Sequence, residues 1–465
     1  MTIKTWLVAS RRILHDNSGV SATLVAIVLP CLIGFGALGA ETGVWFTIKL
    51  RNQSAADAAA IAAAYEVIAG KTDITNDLTP AASEAAAGNG YTGAAPVVIY
   101  PYSDAVISNG VAVTLRQSQG TLLAAMFLSN VTVANKAVAV IETLNRPCVL
   151  ALGTAGTDVN ISASTNLSMP DCGIAANSIS DTAIEIASSS MLAATSLVTA
   201  GEISVQGVPI DPTQPSPQLN LATPAMIGAP TVPDPYASIL THSYITAGMP
   251  NLTRCTPKGL GGGAVIYSGG CFVQGNALKQ NSIKLTGNTQ ISGGLTITAN
   301  QTIDLSPGTY WVSGDLVVQS NGVLKCSTCD NSRGLGVTLI LTIQNNLIGT
   351  ISVGSGALIN LNAPSSGSFP GLLVIQDSNA VPAGTTYTSN QSVIDGAAAS
   401  TLSGLLYLPN SSMTFHGYPT PAGPQCLAVV VNALAVDATS ALAVGGCGQA
   451  GVALLPLVRT VALAE

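Results

Sequence analysis

Between Val20 and Ala40 the chain runs for 21 residues without a charged side chain: VSATLVAIVLPCLIGFGALGA. A helix of that length spans about 30 Å, the hydrocarbon thickness of a bilayer. No other stretch compares. Leu427 to Val444 is the next most apolar, but Asn432 and Asp437 interrupt it, and a carboxylate within a span is costly in lipid. The sequence therefore predicts one transmembrane helix, residues 19–40. Lys4, Arg11 and Arg12 precede it with Asp16 as the lone acid, and Glu41, Lys49 and Arg51 follow. This bias assigns residues 1–18 to the cytoplasm and the bulk of the chain to the other side. A cleaved signal peptide is the competing reading, with Ala37-Leu38-Gly39 as its small-residue cleavage site. Against it, the apolar region exceeds the roughly 7–15 residues of such signals.

Cysteine usage agrees with an outside location. Cys31 lies in the span; the others are Cys148, Cys172, Cys255, Cys271, Cys326, Cys329, Cys426 and Cys447. An even number in an oxidising compartment reads as disulfides, and sequence neighbours suggest 148–172, 255–271, 326–329 and 426–447. Cys326-Ser-Thr-Cys329 could instead be a redox pair or half a zinc site. With no second such motif and only His15, His242 and His416 in the chain, a loop staple is the preferred reading. Charge excludes another class of partner. Charged residues make up 8% of the 465, against roughly 25% in ordinary domains, and the net charge is −7. No basic field exists to attract nucleic acid.

After the span, Ala fills eight of the ten positions from Ala55 to Ala64, and nothing breaks a helix before Gly70. Ala is the best helix former, so residues 41–70 read as an outward continuation of the membrane helix, with a possible kink at Pro30. The small faces of Ala55, Ala56, Ala59 and Ala63 allow close approach of another backbone. That backbone could belong to a partner helix or to the chain's own domain. Residues 71–146 read as a small α/β, pilin-like unit: Val97–Tyr100, Val111–Leu115 and Val131–Ile141 have strand character, and Thr121–Leu128 is a short helix candidate.

Beyond Arg146 the texture changes. Residues 147–207 carry brief apolar pairs: Val159/Ile161, Ile174/Ala176, Ile184/Ile186 and Ile203/Val205. Residues 208–258 hold ten of the 25 prolines and read as an extended connector. From residue 259 to 465 the pairs resume, at Ile283/Leu285, Leu295/Ile297, Ile303/Leu305, Leu316/Val318, Leu339/Leu341/Ile343, Ile351/Val353 and Ile359/Leu361. Strands this short cannot bury an apolar face alone, but stacked on like neighbours they build a continuous core. The fold class is thus mixed: an N-terminal helix, a small α/β unit, then a mainly β region. A parallel β-solenoid is preferred for the last, with a β-sandwich as the alternative.

Catalytic signatures are missing: no G-x-S-x-G, no Walker A, no H-E-x-x-H. Gly259-Leu-Gly-Gly-Gly-Ala264 lacks the βαβ surroundings of a dinucleotide loop and reads as a flexible loop. For a polysaccharide-active solenoid the candidates would be Asp304, Asp315, Asp377 and Asp395 with Lys284, Lys325 and Arg333, since glycoside hydrolysis needs paired carboxylates. Scattered turn aspartates are the commoner explanation. Phe415-His416-Gly-Tyr418 is a candidate sugar-facing patch. No catalytic residue, cofactor or metal site is assigned.

The basic start, Asn17-Ser18-Gly19-Val20, the uncharged helix, Glu41, Trp45 and then Leu50-Arg-Asn-Gln-Ser-Ala-Ala-Asp-Ala-Ala-Ala60 together resemble TadG-like proteins of the tight-adherence (Flp) pilus assembly system. Val111–Leu115, Gly120–Phe127 and Val131–Val140 resemble the small extracytoplasmic part of that family, so the likeness covers roughly residues 11–145. It implies a non-enzymatic inner-membrane protein facing the periplasm, whose partners are the membrane, other assembly proteins or pilin, or a second copy. Two features depart from related patterns. The D-x-S-x-S metal motif of longer TadG-like proteins is not here, and Leu24 stands where prepilins carry Glu. The expected function is a structural assembly component, with a surface adhesin or glycan-binding protein, then a solenoid enzyme, as alternatives.

Overall fold

The Ala-rich run and the span before it form one continuous helix, α1, Ser18–Ile68. It ends where Gly70 takes φ +86°, a conformation open to glycine. The computed structural model describes residues 18–104, 107, 110–121, 129–143, 147–211, 214, 216–250, 253–344, 347–377, 390–396, 400–417, 426–437 and 459–464. The expected helix at Thr121–Leu128 lies almost wholly outside the described residues. An apolar N-terminal helix, a short second helix and a mostly strand region with large sheets make up the fold. It divides into two units, Met1–Thr143 with Arg459–Glu465, and Leu144–Val458.

In the first unit, Asp73 caps a five-residue helical turn, Ile74–Leu78, by accepting from the amides of Thr75 and Asn76 at 2.9 and 3.0 Å. Helix α2, Thr79–Gly88, follows with a proline in its first turn. Strands β1 (Val97–Tyr102), β2 (Gly110–Gly120) and β3 (Asn130–Thr143) form an antiparallel sheet in that order. The fourth strand comes from the C-terminus: Arg459–Leu463 pairs antiparallel with β3, in place of the single 259–465 region read from the sequence. Thr143 and Arg459 stand opposite each other in register, so the whole second unit is inserted between two neighbouring strands.

Among the described residues, most of the second unit is built from three parallel ladders, beside a separate parallel sheet of Asn166–Met169, Met191–Ala194 and Leu219–Leu221. The first contains Ala264–Tyr267, Ser282–Leu285, Thr302–Leu305, Val323–Lys325, Leu358–Asn362 and the start of Thr401–His416. The second contains Phe272–Gln274, Thr289–Ser292, Gly308–Ser313, Val337–Thr342, Leu372–Gln376 and the middle of Thr401–His416. The third contains Leu295–Ile297, Leu316–Val318, Ile351–Val353, Asn390–Asp395 and the end of Thr401–His416. In-register neighbours such as Ile283, Ile303, Leu324 and Ile359 lie on top of one another, all buried. The apolar pairs picked out in the sequence are these inward positions, except that Ile343 and Val205 are only partly buried.

The stacking order is not the chain order. Leu427–Asp437 lies beside Thr401–His416, and its other edge takes Pro147–Ala151 and Val159–Ile161. Gly173–Ala176 with Ile184–Ile186, then Leu197–Thr199 with Ile203–Val205, continue outward from there. The chain therefore enters the stack in its middle, runs to one end, crosses to the other and coils back.

That crossing is made by the proline-rich segment. Met226 bridges to Val198 at one end, and Arg254 bridges to Phe272 at the other. Between them, Asn177 exchanges hydrogen bonds with the backbone of Val232 at 2.8 and 2.7 Å, and Tyr407 donates to Asp234 at 2.9 Å. The Trp311 indole donates to the Ile245 carbonyl at 2.7 Å. The segment thus covers the outward face of the second ladder, where Leu150, Ala175, Trp311, Ile340, Ile375, Tyr407 and Val430 are buried. It is also less irregular than its prolines predict, since it includes the strand Leu219–Leu221 and the short helix His242–Ile245.

Candidate functional site

Helix α1 has two surfaces of opposite fate. From Asn52 onward it is packed: Ala55, Ala56, Ala59, Ala60, Ala63, Ala64 and Val67 are buried against Ala82 and Ala86 of α2, Val111, Val113 and Leu115 of β2, and Ala137, Ala139 and Ile141 of β3. The methyl side chains let the helix lie close on the sheet. Of the two backbones that could approach Ala55, Ala56, Ala59 and Ala63, the structure supplies the chain's own. Their fully buried faces are closed to a partner helix.

From Leu24 to Leu50 the same helix exposes large apolar side chains, among them Leu29 (51%), Ile33 (61%), Phe35 (75%) and Phe46 (62%). Each would be about 1.5–3 kcal/mol more stable out of water. The hydroxyls of Thr42 and Thr47 turn back onto helix carbonyls, Leu38 at 2.8 Å and Gly43 at 3.0 Å, which removes their need for water. The helix is long and apolar enough to cross a membrane. This surface is what the fold offers for function: an apolar rod continuous with a folded domain.

The cysteines fall at bonding distance where neighbours in sequence were expected to pair: Cys148–Cys172, Cys255–Cys271 and Cys326–Cys329, with Cα separations of 5.6, 5.1 and 5.4 Å. Cys426 is also disulfide-bonded, while Cys447 lies outside the described residues. The first bond ties adjacent coils and the second ties the end of the crossing segment to the first coil.

Of the residues considered for polysaccharide chemistry, the structure brings three together and gives others separate partners. Lys284, Asp304 and Lys325 are in-register neighbours on the outside of the first ladder, with Asp304 holding the amide of Ser327 at 2.9 Å. Asp315 instead ties the amide and hydroxyl of Thr350, at 2.8 and 2.9 Å. Asp330 is held below the usual carboxylate range by hydrogen bonding to Ser332, and pairs with Arg333 at 3.4 Å. Asp395 is level with His416 on the neighbouring strand, and His416 bonds Asp437 at 2.6 Å. Phe415 is buried, and Tyr418 lies outside the described residues. Among the described residues no group of His, Cys, Asp and Glu could hold a metal ion. Gly259–Ala264 belongs to a β-hairpin, Pro257–Gly261 against Ala264–Tyr267, with Gly261, Gly262 and Gly263 all at positive φ: an ordered turn in place of the flexible loop expected.

Sequence reasoning missed the His242–Asp377 pair, Nδ1 to Oδ2 at 2.6 Å, which pins the crossing segment to the end of a buried strand. It also missed that the second ladder is covered on both sides. Part of the signal was in the sequence: Leu339–Leu341 and Leu372–Ile375 are unbroken apolar runs within strands buried at every position, whereas Leu295–Ile297 and Ile351–Val353 alternate apolar with polar. Unbroken apolar runs mark strands covered on two faces.

One buried acid gives the second unit a pH dependence. Asp158 is desolvated, which raises its pKa to about 6 although the amides of Asn177 and Ser178 donate to it at 3.0 and 2.8 Å. Folding therefore strengthens its hold on a proton. The resulting stabilisation is complete below the unfolded value near 3.8 and is lost as pH rises through about 6. The shift corresponds to on the order of 2–3 kcal/mol. Urea midpoints of wild type should carry a falling component between pH 4 and 7 that Asp158→Asn abolishes; identical slopes for the two proteins would refute this.

The described geometry defines a protein with an N-terminal apolar helix that fits a membrane anchor, joined to an α+β unit with a large β-rich insertion. Residues 19–66 match the family model described as "Putative Flp pilus-assembly TadE/G-like", so over that segment the chain is similar to TadE/G-like proteins, the resemblance its residues carry. The match ends within α1. No curated protein and no solved structure matches the chain.

Proposed function

We propose that this chain is an inner-membrane-anchored, periplasm-facing structural component of tight-adherence (Flp) pilus assembly, acting by protein–protein contact. The observation that carries this reading is the coincidence of the family match, residues 19–66, with a helix whose apolar half is exposed and whose other half is built into a folded domain. The disulfides fit an oxidising compartment outside the cytoplasm. The second unit is read as a parallel β-solenoid in place of a sandwich. Parallel pairing through all three ladders supports it, since sandwiches are made of antiparallel sheets. Its long outer faces would serve as contact surfaces for other assembly proteins or pilin.

The test is an in-frame deletion in the native bacterium, scored for surface pili by electron microscopy and for pilin in the sheared fraction. Complementation uses the full chain and a spliced chain in which Thr143 is joined to Arg459 by an Asn-Gly turn. Their in-register pairing makes that junction an ordinary hairpin, so the first unit keeps its fourth strand. Loss of pili, restored by the full chain and not by the spliced one, is expected and assigns the β-rich unit a necessary role. Normal piliation in the deletion strain would overturn the proposal.

A further inference from the structure

The three disulfides whose two cysteines are both described differ in what they hold together. Cys148–Cys172 joins neighbouring coils, and Cys255–Cys271 fastens the crossing segment to the first coil; these four residues are 4–7% exposed. Cys326–Cys329 joins two residues of one turn, at a sequence separation of 3 against 24 and 16, and connects no two strands. A bond that closes so short a loop removes the least conformational freedom from the unfolded chain.

The turn is also held by other means. The Cys326 amide donates to the Asn360 carbonyl at 3.1 Å. Both the amide and the hydroxyl of Ser327 donate to Asp304 of the neighbouring coil. Asp330 and Leu335 exchange backbone bonds at 2.9 Å, and Asp330 caps the amide of Ser332 at 2.9 Å. Removing the bond between the sulfurs therefore leaves the turn anchored. Cys326 and Cys329 pack against the core but are only half-buried, unlike the other four cysteines, and the two residues between them, Ser327 and Thr328, are exposed.

We propose that Cys326-Ser-Thr-Cys329 is a reversible thiol–disulfide exchange site for an approaching dithiol. One thiolate of the dithiol attacks a sulfur of the pair, forming a mixed disulfide and releasing the other cysteine as thiolate. The second thiol of the dithiol then attacks the mixed disulfide. The dithiol leaves oxidised to its own disulfide, and two electrons and two protons remain on Cys326 and Cys329. Oxidation by a small disulfide runs the same steps backwards.

The experiment uses the full chain purified in detergent, with free thiols first blocked by one alkylating reagent. Samples are equilibrated with graded dithiothreitol, quenched with an isotopically distinct reagent, and mapped by peptide mass spectrometry while far-UV circular dichroism is followed. Cys326 and Cys329 should become labelled at roughly tenfold or more lower dithiothreitol than Cys148, Cys172, Cys255 and Cys271, with the dichroism unchanged. Oxidised glutathione should then restore the bond. Labelling of all three pairs together, or labelling only with loss of dichroism, would overturn the proposal. So would failure of the double variant Cys326→Ser/Cys329→Ser to fold, since the bond would then be structural.

Discussion

A chain that stops at Cys426 is expected to lose cooperative folding of the β-rich unit, including the coils at residues 147–205 that the truncation leaves in place. The reason is positional. Leu427–Asp437 pairs on one edge with Thr401–His416 and on the other with Pro147–Ala151 and Val159–Ile161, so it is the coil that joins the two halves of the stack. Leu427, Val429, Val430, Val431, Leu434 and Val436 are all buried. At about 1.5–3 kcal/mol for each large apolar side chain, losing this coil removes on the order of 10 kcal/mol, comparable with the whole stability of a domain. Exposed inner faces on both sides should bind a hydrophobic dye, and residues 147–205 should become sites of rapid proteolysis. A truncated chain with the wild-type proteolysis pattern would show that the two halves stand without this coil.

The second large effect concerns the anchor. Leu29 and Ile33 lie one turn apart on the exposed apolar part of α1. An arginine near the centre of a membrane span costs about 2.5–3.5 kcal/mol on insertion scales, so Leu29→Arg with Ile33→Arg costs about 5–7 kcal/mol. The double variant should leave the carbonate-resistant membrane fraction, where the wild type is expected to remain. Because these side chains are exposed, thermal unfolding of the first unit should be unchanged, which separates loss of anchoring from loss of fold. Full retention of the variant in the carbonate-resistant fraction would remove the membrane reading of α1.

Much of the local structure was legible in residues alone. The uncharged run and the alanines predicted one helix through residues 19–40 and 41–70, and α1 spans Ser18–Ile68. The brief apolar pairs located the inward positions of the ladders, because a period of two needs only neighbouring residues to be read. Neighbouring cysteines met for a similar reason: short loops leave few other partners within reach. The alanine face was ambiguous, because a small-residue stripe says that a backbone approaches and is silent about whose.

What sequence determined, then, is everything carried by a few consecutive residues: the apolar helix, the strand positions, the proline-rich break and the TadG-like N-terminal pattern. Tertiary structure alone decided which elements meet. It placed Leu427–Asp437 beside Pro147–Ala151, returned Arg459–Leu463 to the first unit, and laid the proline-rich segment over Trp311 and Tyr407. Those pairings join residues far apart in the chain. Short strands of similar composition are nearly interchangeable in local preference, so only the summed burial of a complete core selects one order of stacking.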